Sequence, residues 1–134
     1  MDEKKLLKRE YTVADGDLAV NMGSGSLRVL ATPAIAAWAE NTAMKLADMY
    51  TDSGATTVGT MITLEHISAS PVNTVISVEA ELVSIEGRKY GFDIRAYDAK
   101  GLIAHGKHTR FAVYADRFQQ KTDEKFTGEY NDRT

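Results

Sequence analysis

A single glutamate, Glu40, interrupts the apolar run ATPAIAAWAENTAMKLA that extends from Ala31 to Ala47. Its carboxylate either sits at the exposed edge of a helix, pairs with a cation such as Arg110, or is desolvated. A desolvated carboxylate is a stronger base and suits proton abstraction near neutral pH, and the alanines around Glu40 would leave room for a ligand. His66 is the second candidate. It falls on the inward face of an alternating segment, where it is either a satisfied core histidine or an acid–base group. That face should pack on the helix carrying Glu40, so the carboxylate and the imidazole are expected to meet in one cavity.

Three further positions bear on the same chemistry. Thr32 before Pro33 reads as a helix cap, and its hydroxyl would also stand at the positive end of the helix dipole, where developing negative charge is stabilised. Gly59 lies inside an extended segment, where glycine weakens packing. It marks either a bulge or a close approach of the backbone to a substrate, with its N–H aimed at an oxyanion. His108 and Arg110 share a strand face with Ala104, Gly106 and Ala112, as a surface pair or as groups lining a site or a subunit contact. His105 falls on the opposite face with no evident partner. The three histidines lack the spacing of a zinc motif.

The elements that must position these groups follow from periodicity. A short strand at Tyr11 to Val13 leads into the turn Ala14-Asp15-Gly16-Asp17. NMGSGS reads as a loop that is solvated or covers a substrate, and it lacks the lysine of a phosphate-binding loop. A helix should start at Thr32 and end near Tyr50. Ile35, Trp38, Thr42, Leu46 and Met49 form one stripe, and Ala36, Glu40, Ala43 and Ala47 another, so most of its circumference is buried. Four alternating segments follow. In Thr57 to Ser68, Val58, Thr60, Ile62, Leu64 and His66 share a face. In Thr74 to Glu86, Ile76, Val78, Ala80 and Leu82 point inward. In Tyr90 to Tyr97, Tyr90, Phe92, Ile94 and Ala96 share a face. Leu102 to Tyr114 is the last. Short turns between them imply an antiparallel meander, and one sheet face wrapped on the helix gives an α+β fold.

The 134 residues fit one domain, with a core over about 11–118 and a polar, loosely ordered tail from Gln119 to Thr134. A net charge of −3 argues against a nucleic-acid surface, and the absence of cysteine excludes disulfides and thiolate chemistry. No apolar run is long enough to span a bilayer, and MDEKKLLKRE lacks the apolar stretch of a secretory leader, so a cytoplasmic protein is expected.

In combination, ATP opening the helix, Glu eight residues on, Val-Gly-Thr, His-x-x-Ala-x-Pro-Val, Glu-Gly-Arg and Gly-x-His-x-Arg resemble the fluoroacetyl-CoA thioesterase-like family of hotdog-fold proteins over about Tyr11 to Phe118. The resemblance implies a hotdog fold, a sheet wrapped round one long helix, and homodimers or a higher assembly with sites at the dimer interface. It implies hydrolysis of a small or medium acyl-CoA, with CoA part of the substrate and no metal or redox cofactor. Thr32, Glu40 and His66 match the family's catalytic residues. Gly59 matches the glycine whose N–H faces the thioester oxygen, and Arg110 matches a site arginine. The nucleophile is Thr32, Glu40 or a water that Glu40 activates. Leu27, Val29 and Leu30 stand before Thr32 where an aromatic lid would need phenylalanine, so a more ordinary acyl-CoA than fluoroacetyl-CoA is expected. The alternative is a non-catalytic acyl-CoA-binding hotdog. Arg28, Arg88, Lys89, Lys107 and Arg117 are candidates to hold the CoA phosphates.

Overall fold

The computed structural model describes residues 5–127. In chain order the elements are strand β1 (Leu6–Thr12), a 3₁₀ turn (Asp15–Asp17), the short helix α1 (Ala19–Met22), the long helix α2 (Thr32–Ala47), strands β2 (Ala55–His66), β3 (Val75–Glu86), β4 (Lys89–Asp98) and β5 (Gly101–Tyr114), and helix α3 (Ala115–Asp123). The strands form one antiparallel sheet in the order β1-β3-β4-β5-β2. Consecutive strands β3, β4 and β5 are meander neighbours, as short turns require. β1 and β2 are its two edges.

The sheet curls its apolar face over α2. Ile76, Val78, Ala80 and Leu82 of β3 and Tyr90, Phe92, Ile94 and Ala96 of β4 are buried, as their period of two predicts. On α2 the buried residues are Ala34, Ile35, Ala39, Thr42, Ala43, Leu46 and Ala47. Four of the seven are alanines, which lets the helix backbone come close to the sheet. Trp38 is only half-buried and stacks on Tyr11 of β1, with ring centroids 5.0 Å apart and planes within 10°. The Tyr11 hydroxyl lies 2.9 Å from Thr42 Oγ1 and accepts a bond from Asn41 Nδ2 at 3.0 Å.

Several boundaries differ from the periodic expectation. β1 starts at Leu6 rather than Tyr11, because pairing from Leu6 with Glu81 to Thr12 with Val75 supplies its backbone bonds whatever its side chains are. α2 stops at Ala47; residues 48–50 continue as a turn, and Met49 is 66% exposed instead of belonging to the inward stripe. Part of the polar tail is ordered as α3, although no residue of that helix is buried. The expectation of a loose tail beyond residue 127 lies outside the described residues.

The register of β2 carries the largest correction. Gly59 pairs with Arg110 and Met61 with Thr109, which leaves Thr60 as a bulge. A bulge adds one residue and reverses the alternation beyond it. Ile62, Leu64 and His66 keep the helix-facing parity, but before the bulge it is Thr57 and Gly59 that face inward, not Val58 and Thr60. Thr57 is accordingly buried, and the Thr60 hydroxyl donates to the Thr109 carbonyl at 3.2 Å.

The outer face of the sheet carries a charge ladder in which a half-buried Arg95 bridges Glu79 and Glu81, while the exposed Lys107 bonds Asp93. The exposed Lys107–Asp93 pair adds little to stability. Among the described residues no helix is long and apolar enough to cross a membrane.

Candidate active site

At the start of α2 the chain is pinned before the helix begins. Leu18 bridges Leu30, the Leu30 N–H donates to the Ser70 carbonyl at 2.8 Å, and the Ala31 N–H donates to the Asp17 carbonyl at 2.9 Å. Ala31 is therefore the residue before the first helical turn, and Thr32 and Pro33 are the first two helical residues. Thr32 is not a side-chain cap, contrary to the expectation. Its hydroxyl instead lies 2.9 Å from His66 Nδ1, at the end of β2.

Thr32 and His66 line a cleft of about 310 Å³ together with Ala19, Ser24, Val29 and Ser68. Ser24 comes from the Gly-Ser-Gly loop, which therefore forms part of the wall. Burial holds the His66 pKa below its ordinary value, with a backbone hydrogen bond at Ser68 acting the other way. At neutral pH the ring is neutral. Its Nε2 is buried and, among the described residues, has no hydrogen-bond partner, which in a native protein calls for a ligand, a water or a chemical role.

The second group lies further along α2. A Cβ built on Gly59 would stand 2.9 Å from Glu40 Oε2, 3.3 Å from Arg110 Nη1 and 3.3 Å from His108 Cε1. Glu40 is half-buried, and among the described residues nothing hydrogen-bonds to its carboxylate. Arg110 is 6% exposed and donates from Nε to Thr57 Oγ1 at 2.7 Å and from Nη2 to the Thr57 carbonyl at 2.8 Å. Burial lowers the Arg110 pKa, while the negative charges of Glu40 and Asp48 raise it. The guanidinium stays charged. Glu40 is thus a carboxylate beside a buried cation, with its own oxygens uncommitted. What comes close to Gly59 in this structure is the Glu40 side chain.

Within one chain the two groups do not meet. Eight residues of helix put Glu40 about 12 Å along the axis from Thr32. On β2, His66 pairs with Ala104 at the end of the strand and Gly59 with Arg110 near its middle, and Glu40 does not line the Thr32–His66 cleft. The expectation of one cavity shared by Glu40 and His66 fails for the isolated chain, because sharing a sheet face does not fix position along the strand.

His108, read from sequence as a surface or lining group, is 1% exposed and belongs to the Glu40 group. The partners that hold this group, Met61 for His108 and Thr57 for Arg110, were not legible in sequence, because both depend on the bulge. His105 does have a partner, Glu65 on the neighbouring strand at 3.4 Å. Among the described residues no cluster of histidine and carboxylate side chains could hold a metal ion.

An antiparallel sheet wrapped on one long helix, with polar groups at the helix start and along the sheet's free edge, defines a hotdog-fold protein. Residues 13–116 match the family of fluoroacetyl-CoA-specific thioesterases, and the chain belongs to that family. It is 33% identical over 76 residues to the fluoroacetyl-CoA thioesterase of Streptantibioticus cattleyicolor, a match over 57% of this chain and 55% of that protein. The match thus spans only about half the length of that curated relative. A solved structure of the thioesterase FlK, a variant in complex with acetyl-CoA, superposes with a TM-score of 0.86 at 23% identity, covering 94% of this chain and 99% of that one. A hot-dog-like protein from Thermanaerovibrio acidaminovorans superposes with a TM-score of 0.83 at 19% identity, over 92% and 91% of the two chains.

Proposed function

We propose that this protein is an acyl-CoA thioesterase that hydrolyses a small or medium acyl-CoA to the free acid and CoA. One observation carries the proposal: the Glu40 carboxylate, with no hydrogen bond among the described residues, lies against Gly59 beside the buried Arg110. In the reaction Glu40 takes a proton from water as its oxygen attacks the thioester carbonyl carbon. The C–S bond then breaks and the departing CoA sulfur takes up a proton. The Gly59 N–H faces the thioester oxygen, and Arg110 supplies the fixed positive charge next to the base. Thr32 and His66 orient the acyl group and move protons.

The catalytic set is proposed to be completed by a second copy. Among the described residues β2 is an edge of the sheet, and an antiparallel pairing of two such edges about Ile62 and Thr63 would set His66 opposite the partner's Gly59. That arrangement would bring Thr32 and His66 of one protomer to the partner's Glu40. It reconciles the family membership with the separation of the two groups in one chain. The need for acyl-CoA makes the cytoplasm the proposed setting.

The test is thiol release from a panel of acyl-CoAs by wild type, Glu40→Gln, Thr32→Ala and a co-refolded mixture of the two variants. Each variant alone should be nearly inactive. The mixture should regain about a quarter of wild-type turnover, since half the dimers are mixed and each mixed dimer holds one intact site. A mixture as inactive as its components would refute the shared site. Binding of acyl-CoA without turnover by wild type would make the protein a non-catalytic acyl-CoA binder.

A further inference from the structure

His108 has hydrogen-bond partners on both ring nitrogens, and their chemistry fixes its proton. Nε2 lies 3.2 Å from Arg110 Nη1, and Nδ1 lies 2.8 Å from the Met61 carbonyl oxygen. A guanidinium has donors only, so Nε2 must accept; a carbonyl accepts only, so Nδ1 must carry the hydrogen. The ring is therefore neutral with its proton on Nδ1. Burial and the adjacent Arg110 charge both lower its pKa, while the Met61 bond and the Glu40 charge raise it, and the net direction agrees with that assignment. On its other side the ring meets Phe92 of β4, with centroids 6.0 Å apart.

The arrangement does something for Arg110 that Thr57 alone does not. The two Thr57 bonds hold Nε and Nη2. Nη1, the nitrogen nearest the space over Gly59 where Glu40 Oε2 lies, is held by His108. His108 in turn is anchored to Met61, the first residue after the Thr60 bulge. Bulge, imidazole and guanidinium thus form one chain of contacts that ends at the space over Gly59, where the Glu40 carboxylate acts on Arg110 through its charge rather than through a hydrogen bond.

We propose that His108 is a positioning residue for the hydrolysis, a fixed acceptor that aims Arg110 at Glu40 and ties both to the β2 bulge. The proposal rests on the thioesterase function put forward above. Its effect is on the chemical step rather than on CoA binding, because the group it orients stands beside the base.

Two variants and one spectrum test it. His108→Leu removes the acceptor. His108→Gln can place its side-chain oxygen where Nε2 stands. For the leucine variant kcat should fall about tenfold or more with KM within about threefold, and glutamine should recover at least about fivefold of that loss. Equal kcat for the two variants, or a loss confined to KM, would overturn the proposal. If the leucine variant does not fold, glutamine against wild type and the spectrum decide. Nitrogen-15 NMR of the wild-type ring should show a neutral imidazole protonated at Nδ1 at pH 7, with the Nε2 resonance moving in Arg110→Met. A ring protonated at Nε2, or charged, or indifferent to Arg110→Met would also overturn it. The NMR result stands independently of turnover. A wild type that releases no thiol from any acyl-CoA would instead refute the thioesterase function.

Discussion

Glu40 of the central helix lies so close to Gly59 of the edge strand that a methyl group on Gly59 would stand 2.9 Å from Glu40 Oε2. Gly59 is needed there for the absence of a side chain, not for an unusual backbone angle, since its φ is not positive. Gly59→Ala should therefore fold. The Glu40 tip must move and is flexible, while the buried Arg110 Nη1 and His108 Cε1 at 3.3 Å must give slightly, so the stability loss should be about 1–2 kcal/mol. Turnover should fall by about tenfold or more, because the displaced carboxylate leaves its place beside Arg110. Melting curves and kcat measured on the same preparation check this, and an unstable but fully active alanine variant would contradict it.

Glu40→Gln keeps the shape of the side chain and removes the base. Loss of a general base costs about 10² or more in kcat. Melting temperature should change little, since among the described residues no hydrogen bond to the carboxylate is lost. A glutamine variant with wild-type kcat would remove Glu40 from the reaction.

Thr32 gives a sharper contrast between a structural and a chemical role. As a helix cap, its loss would cost about 1 kcal/mol or more of stability. Its hydroxyl is instead bonded to His66 Nδ1 at 2.9 Å and caps nothing. Thr32→Val should therefore cost at most about 1 kcal/mol for one lost bond, yet reduce turnover by about tenfold or more, and Thr32→Ser should restore both. A serine variant no better than valine would show that the hydroxyl is not the functional group.

His66 and His108 make stability depend on pH with a defined sign. Both have folded-state pKa values below the ordinary 6.5, chiefly through burial. Below pH 6.5 the unfolded chain binds protons that the folded chain still refuses, so stability falls with acidification. The loss starts near pH 6.5 and continues down to the lowered folded values. Urea unfolding at pH 7.5, 6.5 and 5.5 should give a midpoint that drops between the last two, and His108→Gln should flatten the drop. A midpoint that rises over that interval would show that these rings are not buried in neutral form.

Most of the architecture was legible in the sequence because it rests on short-range rules. The alternation in β3 and β4 names the buried faces, and the alanine-rich run ending in TDSG names the one long helix and its approximate end. The glutamate in that run, the inward histidine and the strand glycine were visible as residues out of keeping with their surroundings. Periodicity does not report register. The bulge at Thr60, which turns Thr57 and Gly59 inward, comes from how β2 pairs with β5. The local string TTVGTMITLEH alternates without a break through that point.

The tertiary structure alone decided which polar groups meet. Thr32 sits beside His66 because the preceding loop, tied to Asp17 and Ser70, sets where the first turn of α2 begins. Glu40 sits beside Arg110 and His108 because the bulge and the bare Gly59 let the helix side chain reach the strand. The distance that keeps these two groups apart is fixed by the rise of the helix between them, a property of the residue count, but its meaning for a site appears only once both ends are placed on the same sheet. Sequence determined the kinds of chemistry present, since residue type is local. Packing determined their partners, since a hydrogen bond across 34 residues, such as Thr32 to His66, depends on every element between them.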